Sequence, residues 1–546
     1  MTLLVGCGDV GAGAATASAG SASSTNGETS GGNAETGGGT DNGTSEGSDS
    51  TGDTKFDLPP DTTTGATGDV VCQGDGGGGD DGGGPGDCKD KAEPGSFEAA
   101  IQWTFDAPGE PQSYVIPLVA NFTDDDGDGK IDVCTDIPDV VVVANGAYAL
   151  SNARGHIYVL DGKTGALHFK IAHEVDACVT PALGDIDGDG MVELVTAVPG
   201  DYLIAFEHDG TRKWQSEDLW LNIEALCSSI ALADLDNDGD VEIIAGTRVY
   251  DHTGKHLWTT GVGYDMDYNP ATAVADLDGD GDLEVVLGHA AYHHDGSEYY
   301  LAADVAIGFP QIVNLDGDPE PEVLVTGKNG LTMLEHTGQV KYLGLRPTGD
   351  AVGISTWVRP AAVHDFDGNG VAEFATSSAL HYTVYNGDAT VVWSSVVEDK
   401  SGSAGGTAFD FLGDGKAEAM YADEYNFSIF DDKGVPYFEV PRSSATTYEY
   451  PTVADLDNDG SAEVAVVSMI GILGEQTSPT LQVIRDVQDR WIPARRIWNQ
   501  HTYHVTNVHE DGRIPQFEQP SWKQLNTFRT QAQISPGGVC KPEPEG

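Results

Sequence analysis

The sequence predicts an all-β fold: a β-propeller of four-stranded antiparallel blades, preceded by a disordered tether. Three observations predict it. An Asp-rich loop recurs eight times, beginning at Asp124, Asp185, Asp234, Asp276, Asn314, Asp365, Asp410 and Asp455. Successive copies begin 38 to 61 residues apart, and their mean of about 47 is the length of a four-stranded blade. Each copy lies between short β-branched and aromatic runs punctuated by Asp and Gly, as strands are.

One unit shows the pattern in full. Ser228 to Ala233 leads into the loop at Asp234, then come Ile243-Ile244-Ala245, Arg248-Val249-Tyr250 and, after a Thr-Gly-Lys turn, His256-Leu257-Trp258. A lone meander of this kind exposes both faces; radial stacking buries them and ring closure protects the edges. Eight loops imply eight blades, with seven the alternative if a terminal copy is not a full blade. Ile101-Gln102-Trp103-Thr104-Phe105 resembles the fourth strand of other units, such as Arg212-Lys213-Trp214. It is expected to complete the last blade and lock the ring.

Four segments follow from composition. Residues 1–7 read as a truncated lipoprotein signal, because Leu4-Val5-Gly6-Cys7 resembles a bacterial lipobox whose cysteine becomes diacylated. The stretch before Cys7 is shorter than such a signal and lacks its basic start. Residues 8–95 are rich in Gly, Ser, Thr and Asp and cannot bury enough apolar surface to offset chain entropy, so a disordered tether is expected. Residues 96–490 form the propeller, and 491–546 a Trp/His/Arg-rich clasp and tail. No run approaches 18 apolar residues, the length of a membrane-spanning helix. The expected location is secreted and lipid-anchored at the bacterial outer membrane or cell surface, with membrane contact only through Cys7.

The chain carries 88 Asp and Glu against 27 Lys and Arg, a formal charge of −61. Such a field repels nucleic acid and anionic membranes and opposes compaction unless cations bind. A salty habitat also favours acidic surfaces, but here many of the acids fall in the repeated loop. Of the seven cysteines, six remain once Cys7 is set aside, which suits an oxidising compartment. Cys72 and Cys88 bracket a glycine-rich run and are expected to close a local loop. Cys178 and Cys227 each lie seven residues before their loop's first Asp, so a bridge between adjacent blades is expected. Cys134 and Cys540 are then left to pair.

The loop itself is clearest at Asp185-Ile186-Asp187-Gly188-Asp189-Gly190-Met191-Val192-Glu193. Oxygen donors stand at positions 1, 3, 5 and 9, and Gly190 at position 6 supplies a backbone turn that other residues avoid. Hard oxygen ligands in this number suit Ca²⁺ better than Mg²⁺. The arrangement is not an EF-hand, whose closing Glu comes at position 12 between helices. Metal-free acidic turns are the plain alternative.

These loops, each between two apolar strands, resemble FG-GAP/VCBS repeats of the integrin-α-like propeller type, over about residues 96–490. The resemblance implies calcium on one rim, in six to eight sites. Carried over copy by copy, it implies Asp124, Asp126, Asp128 and Asp132 as ligands in the first loop, where Asp139 competes for the closing role. The second has Asp185, Asp187, Asp189 and Glu193; the third Asp234, Asp236, Asp238 and Glu242; the fourth Asp276, Asp278, Asp280 and Glu284. The fifth departs, with Asn314 first and Pro319 for glycine, keeping Asp316, Asp318 and Glu322, so a weaker site is expected. The sixth has Asp365, Asp367, Asn369 and Glu373. The seventh has Leu412 at position 3, leaving Asp410, Asp414 and Glu418 as ligands, with an empty loop as the alternative. The eighth has Asp455, Asp457, Asp459 and Glu463.

Trp491 to Asn507 breaks the repeat and concentrates Trp, Arg, Asn and His. A structural clasp packed across the last blade is the expectation, with ligand recognition or catalysis around Arg495, Arg496, His501, His504 and His509 as alternatives. His289, His293 and His294 read as a surface hairpin rather than a zinc site. No nucleophile elbow, HExxH or phosphate loop is present. The leading functional expectation is an adhesion or ligand-binding module for an extracellular protein or glycan, with no nucleic-acid partner. A calcium-dependent enzyme such as a polysaccharide lyase, or a structural envelope component, are the alternatives.

Overall fold

The computed structural model describes residues 86–542 apart from 94, 147–152, 200–201, 219–226, 263–270, 402, 472–473, 475 and 536–537. The expectations for Cys7, Cys72 and the tether up to residue 85 fall outside the described residues. The end of that segment, expected to be disordered, is instead tied down, with Gly86–Asp87 in a strand and Cys88 bonded to Cys540.

Eight sheets, each of at least four strands, form the blades. Blade three is typical: Ser228–Ala233, Glu242–Ala245, Arg248–Tyr250 and His256–Thr259 pair in sequence, all antiparallel. Its inner strands are wholly buried, whereas the fourth alternates between half-buried and exposed. Burial falls from the innermost strand outward because the first strands line the axis and the fourth face solvent.

Ring closure comes from the N-terminal side. Ala99–Phe105 pairs antiparallel with Leu481–Asp486 and so becomes the outer strand of blade eight, beside Glu463–Val467 and Thr452–Ala454. This is the lock expected from Ile101 to Phe105, and eight blades is the correct count.

A bulge recurs where the third and fourth strands pair. The residue at the bulge is His168, Lys213, Leu257, Tyr299, Lys341, Val392, Tyr437 and, in blade eight, Gln102. An aromatic follows each: Phe169, Trp214, Trp258, Tyr300, Tyr342, Trp393, Phe438 and Trp103. The extra residue turns one side chain toward the acidic loop while the aromatic faces the next blade. Trp214 shows the consequence: a Cβ on Gly254 of blade three, which sits at φ +81°, would lie 2.6 Å from its ring. The aromatics buried between blades, Trp103, Tyr300 and Trp393, each contribute about 1.5–3 kcal/mol.

The C-terminal segment reaches further than the last blade. Val119 and Trp498 exchange backbone hydrogen bonds at 3.0 and 2.9 Å, and Leu183 N donates to Asn499 O at 2.8 Å. Leu232 N donates to Gln500 Oε1, Asn314 N to Asn526 Oδ1, and Val363 N to the Phe528 carbonyl. Thr407 Oγ1 donates to Arg529 O, and Gln531 Nε2 to Val453 O. These partners lie on the innermost strands of seven blades, or in blade five directly after it, all except blade four. Asp185 N donates to Gly512 O and Asp455 N to Arg495 O. The segment therefore fills the axis on the side of the acidic loops.

Cys178 and Cys227 are bonded as expected, joining the approaches to blades two and three. The other two expected pairings are wrong: Cys88 bonds to Cys540, not Cys72, and Cys134 is bonded elsewhere. The reason is local pairing. Gly86–Asp87 lies parallel to Gly538–Lys541, which brings the lead-in and tail side by side. No helix among the described residues is long and apolar enough to cross a membrane.

Candidate metal centres

From blade two to blade eight the loop folds one way, because its acids bind its own backbone. The closing Glu is the first residue of the second strand in every case. Its Oε2 accepts the N–H of loop position 2 at 2.7–3.0 Å, as Glu193 does from Ile186 and Glu463 from Leu456. The first acid turns the loop: Asp185 Oδ1 accepts Gly188 N at 2.7 Å and Oδ2 accepts Gly190 N at 3.0 Å. Position 5 stabilises the exit, with Asp189 Oδ1 on Met191 N at 2.9 Å.

The second oxygen of the closing Glu meets a side-chain nitrogen in blades two, four and five and has no partner in blade eight. Asp185, Asp187 and Glu193 bring ligand atoms within 4.8 Å of one another, as do Asp234, Asp236 and Glu242. Burial drives Glu242 up to about 8, against the N–H of Leu235, and the charges of Asp236, Asp234 and Asp238 push the same way. Glu373 is pushed to about 8 by burial and by Asp367 and Asp365. In blade eight, Asp457 Oδ1 and Glu463 Oε1 are buried without a hydrogen-bond partner. Crowded carboxylate oxygens with unused acceptor capacity fit a hard divalent cation of the Ca²⁺ type.

The cages differ at the bulge residue, which the sequence reading did not single out. In blade two Lys213 Nζ lies 2.5 Å from Asp187 Oδ2, 3.2 Å from Glu193 Oε1 and 3.1 Å from Glu207 Oε2. Blade five repeats this: Lys341 pairs with Asp316, with Glu322 Oε1 at 2.9 Å and with Glu335 at 3.4 Å. Blades three and six have Leu257 and Val392 there and no such cation. In blade eight Gln102 Nε2 donates to Asp457 Oδ2 at 3.0 Å. The signal was present in sequence: the residue directly before each fourth-strand aromatic.

The histidines of blade four do not form a simple surface hairpin. His293 Nδ1 lies 3.0 Å from the closing Glu284, His294 pairs with Asp282, and His289 is buried. In blade seven Asp410 and Glu418 are buried, and the lead-in covers the loop through Ala92 N on the Leu412 carbonyl at 2.8 Å.

The first copy is built differently. Strand register pairs Ala120 with Asp139 as it pairs Ala233 with Glu242, so Asp139 stands where the closing Glu stands elsewhere. Asn121 then holds the register place of Asp185, and Asp124 opens an added loop. Asp124 Oδ1 and Oδ2 accept Gly127 N and Gly129 N at 2.7 and 2.8 Å. The carboxylate grouped with Asp124 and Asp126 is that of Asp136, which the sequence reading missed. Asp132 instead accepts the N–H groups of Cys134 and Thr135 at 3.0 and 3.1 Å. The insertion lets Asp136 close the outer loop while Asp139 keeps the strand position.

The C-terminal constellation is not a cleft. Arg495 is buried against Glu510 at 2.9 Å, Tyr503 Oη at 3.1 Å and the carbonyls of Val505 and Val508. Arg496 pairs with Glu510 at 3.1 Å. His501 is buried among Phe309, Tyr448 and Tyr450, and burial with the nearby Arg529 charge holds it neutral. His504 pairs with Glu518 at 2.5 Å and stacks on Phe528.

Residues 185–245 match the FG-GAP-like repeat family. Among solved structures, the Vibrio cholerae biofilm matrix protein Bap1 is similar at a TM-score of 0.68 and 22% identity, over 81% of this chain and 100% of that one. The exotype rhamnogalacturonan lyase YesX is similar at 0.47 and 15% identity, over 83% of each chain. A Bacillus licheniformis rhamnogalacturonan lyase reaches 0.47 and 16%, over 82% of this chain and 84% of that one. No curated protein matches by sequence.

Proposed function

Taking the chain as a β-propeller of FG-GAP-like repeats, we propose that it is an extracellular, calcium-loaded module that binds a glycan or protein without transforming it. The observation that carries this reading is the plugged axis. An enzymatic alternative would need an open basic or histidine-bearing cleft, and Arg495 and His504 are instead buried in ion pairs inside the clasp while His501 is buried among aromatic rings. What remains for recognition is the rim opposite the acidic loops and the acidic surface itself.

The acids of positions 1, 3, 5 and 9 in each cage are the proposed calcium ligands, and the ion's role is to hold each loop against carboxylate repulsion. Extracellular calcium modules bind at roughly 10⁻⁴–10⁻³ M, which suits a chain whose cysteines, among the described residues, are bonded. Bap1 is named as a biofilm matrix protein, which makes extracellular matrix material the first source of ligand to try. A lipid anchor at Cys7 belongs to the same proposal and is tested by acyl-chain labelling of wild type against Cys7→Ala.

The decisive experiment presents the full chain, with calcium or with EDTA, to a glycan array and to envelope polysaccharide, and follows both retention and polymer length. Calcium-dependent retention with unchanged polymer supports the binding reading. Shortened polymer, or retention indifferent to EDTA, overturns it.

A further inference from the structure

Blade one carries a second constellation beside its acidic loop, in which one imidazole faces several carboxylates. His168, the bulge residue of the outer strand Leu167–Lys170, faces three carboxylates. Its Nε2 lies 3.4 Å from Asp139 Oδ1, 3.8 Å from Asp161 Oδ2 and 4.0 Å from Asp125 Oδ1.

The other oxygen of each carboxylate is already engaged. Asp139 Oδ2 accepts Phe122 N at 2.8 Å, Asp161 Oδ1 accepts Thr164 N at 2.7 Å, and Asp125 Oδ2 accepts Ile137 N at 3.1 Å. Three remaining oxygens and one imidazole nitrogen therefore converge. Their separations from the nitrogen are long for hydrogen bonds. First-row divalent ions hold N and O ligands at about 2.0–2.2 Å, so the edges of a tetrahedron around one are about 3.3–3.6 Å. Lys213 and Lys341, at the same place in blades two and five, approach to 2.5 and 2.9 Å and act as their own cations. His168 stands off. Among the described residues it is the only ion-pair partner of these three acids. Asp139 is fully buried there. Asn121, at the register place of Asp185, has both amide atoms buried without a hydrogen-bond partner.

We propose that His168, Asp125, Asp139 and Asp161 form a binding site for a first-row transition ion such as Zn²⁺, distinct in chemistry from the all-oxygen calcium cages. Imidazole selects for such ions, whereas Ca²⁺ takes oxygen ligands. The proposal goes beyond the calcium reading and stands without it.

The test uses the full chain, Co²⁺ as a spectroscopic probe, and excess Ca²⁺ to fill the oxygen cages. The expected result is one tightly bound Co²⁺ per chain with the visible absorption of a four-coordinate site. Zn²⁺ should displace it, and His168→Gln should lose it. Asp161→Asn, on a partly exposed position, should weaken binding at least tenfold with an unchanged circular dichroism spectrum. The proposal is overturned if wild type shows no such absorption, if excess Ca²⁺ abolishes it, or if it survives in both variants.

Discussion

Trp103 of blade eight lies over Gly165 of blade one, so close that a Cβ on the glycine would sit 2.4 Å from the indole ring. The indole Nε1–H also donates to Gly162 O at 2.7 Å. Trp103 stands on the strand that closes the ring, since Ala99–Phe105 completes blade eight from the N-terminal side of the chain, and its indole seals the boundary with blade one. The same aromatic-on-turn contact joins Trp214 to Gly254 and Tyr300 to Gly338, so the seam is sealed like any other boundary.

Trp103→Ala removes a buried aromatic from the N-terminal strand that completes blade eight, where strand pairing rather than continuous chain closes the ring. A loss of about 3–5 kcal/mol is expected, measured by denaturant unfolding in calcium. Gly165→Ala should also destabilise, because φ is +69° and the added methyl has nowhere to go. A variant as stable as wild type would show that the seam is held elsewhere.

The cages predict an inverted pH dependence without metal. Glu242 and Glu373 are each raised to about 8 in the folded chain, above the ordinary 4.5. The folded state therefore binds more protons than the unfolded one. The stability these protons contribute is fully present below about 4.5 and is lost as pH rises toward 8. In EDTA the melting temperature should fall from pH 5 to pH 8, and Glu242→Gln should flatten part of that slope. Saturating calcium should reverse the trend, because protons then compete with the ion. An EDTA profile without this fall would remove the claim.

Lys213 and Lys341 should make blades two and five the least calcium-dependent. An ammonium touching Asp187 and Glu193 opposes a second cation there, while Leu257 and Val392 leave blades three and six open. The double variant Lys213→Met, Lys341→Met should melt lower than wild type in EDTA and regain that loss in calcium, with up to two more ions counted by native mass spectrometry. Equal EDTA melts and an unchanged ion count would contradict this.

What was legible in the sequence was whatever repeats. The loop at Asp185, the strands around it and the outer strand at Trp103 each have seven other copies to confirm their place. The first loop was harder, because an insertion separates Asp124 from Asp139 and lets Asp136 enter; only strand pairing shows that Asp139 holds the register of Glu242. Lys213 and His168 were hidden because they sit on a different strand from the acids they face. The pairing of Cys88 with Cys540 joins residues 452 apart, and no local spacing encodes it.

That disulfide also governs the seventh cage. The lead-in lies over the loop through Ala92 N on Leu412 O, and Gln533 Nε2 of the tail donates to Asp90 O at 3.2 Å. Asp410 and Glu418 are buried beneath. Replacing Cys88 and Cys540 with Ser should cost about 2–5 kcal/mol by freeing the unfolded chain, with much of the native-state effect local to this cover. Limited proteolysis should then cut near residue 90 and near 535 before any blade is cleaved. Amide exchange around Phe411 to Glu418 should rise while the other loops stay protected. Uniform loss of protection across all blades would show instead that the crosslink holds the whole ring.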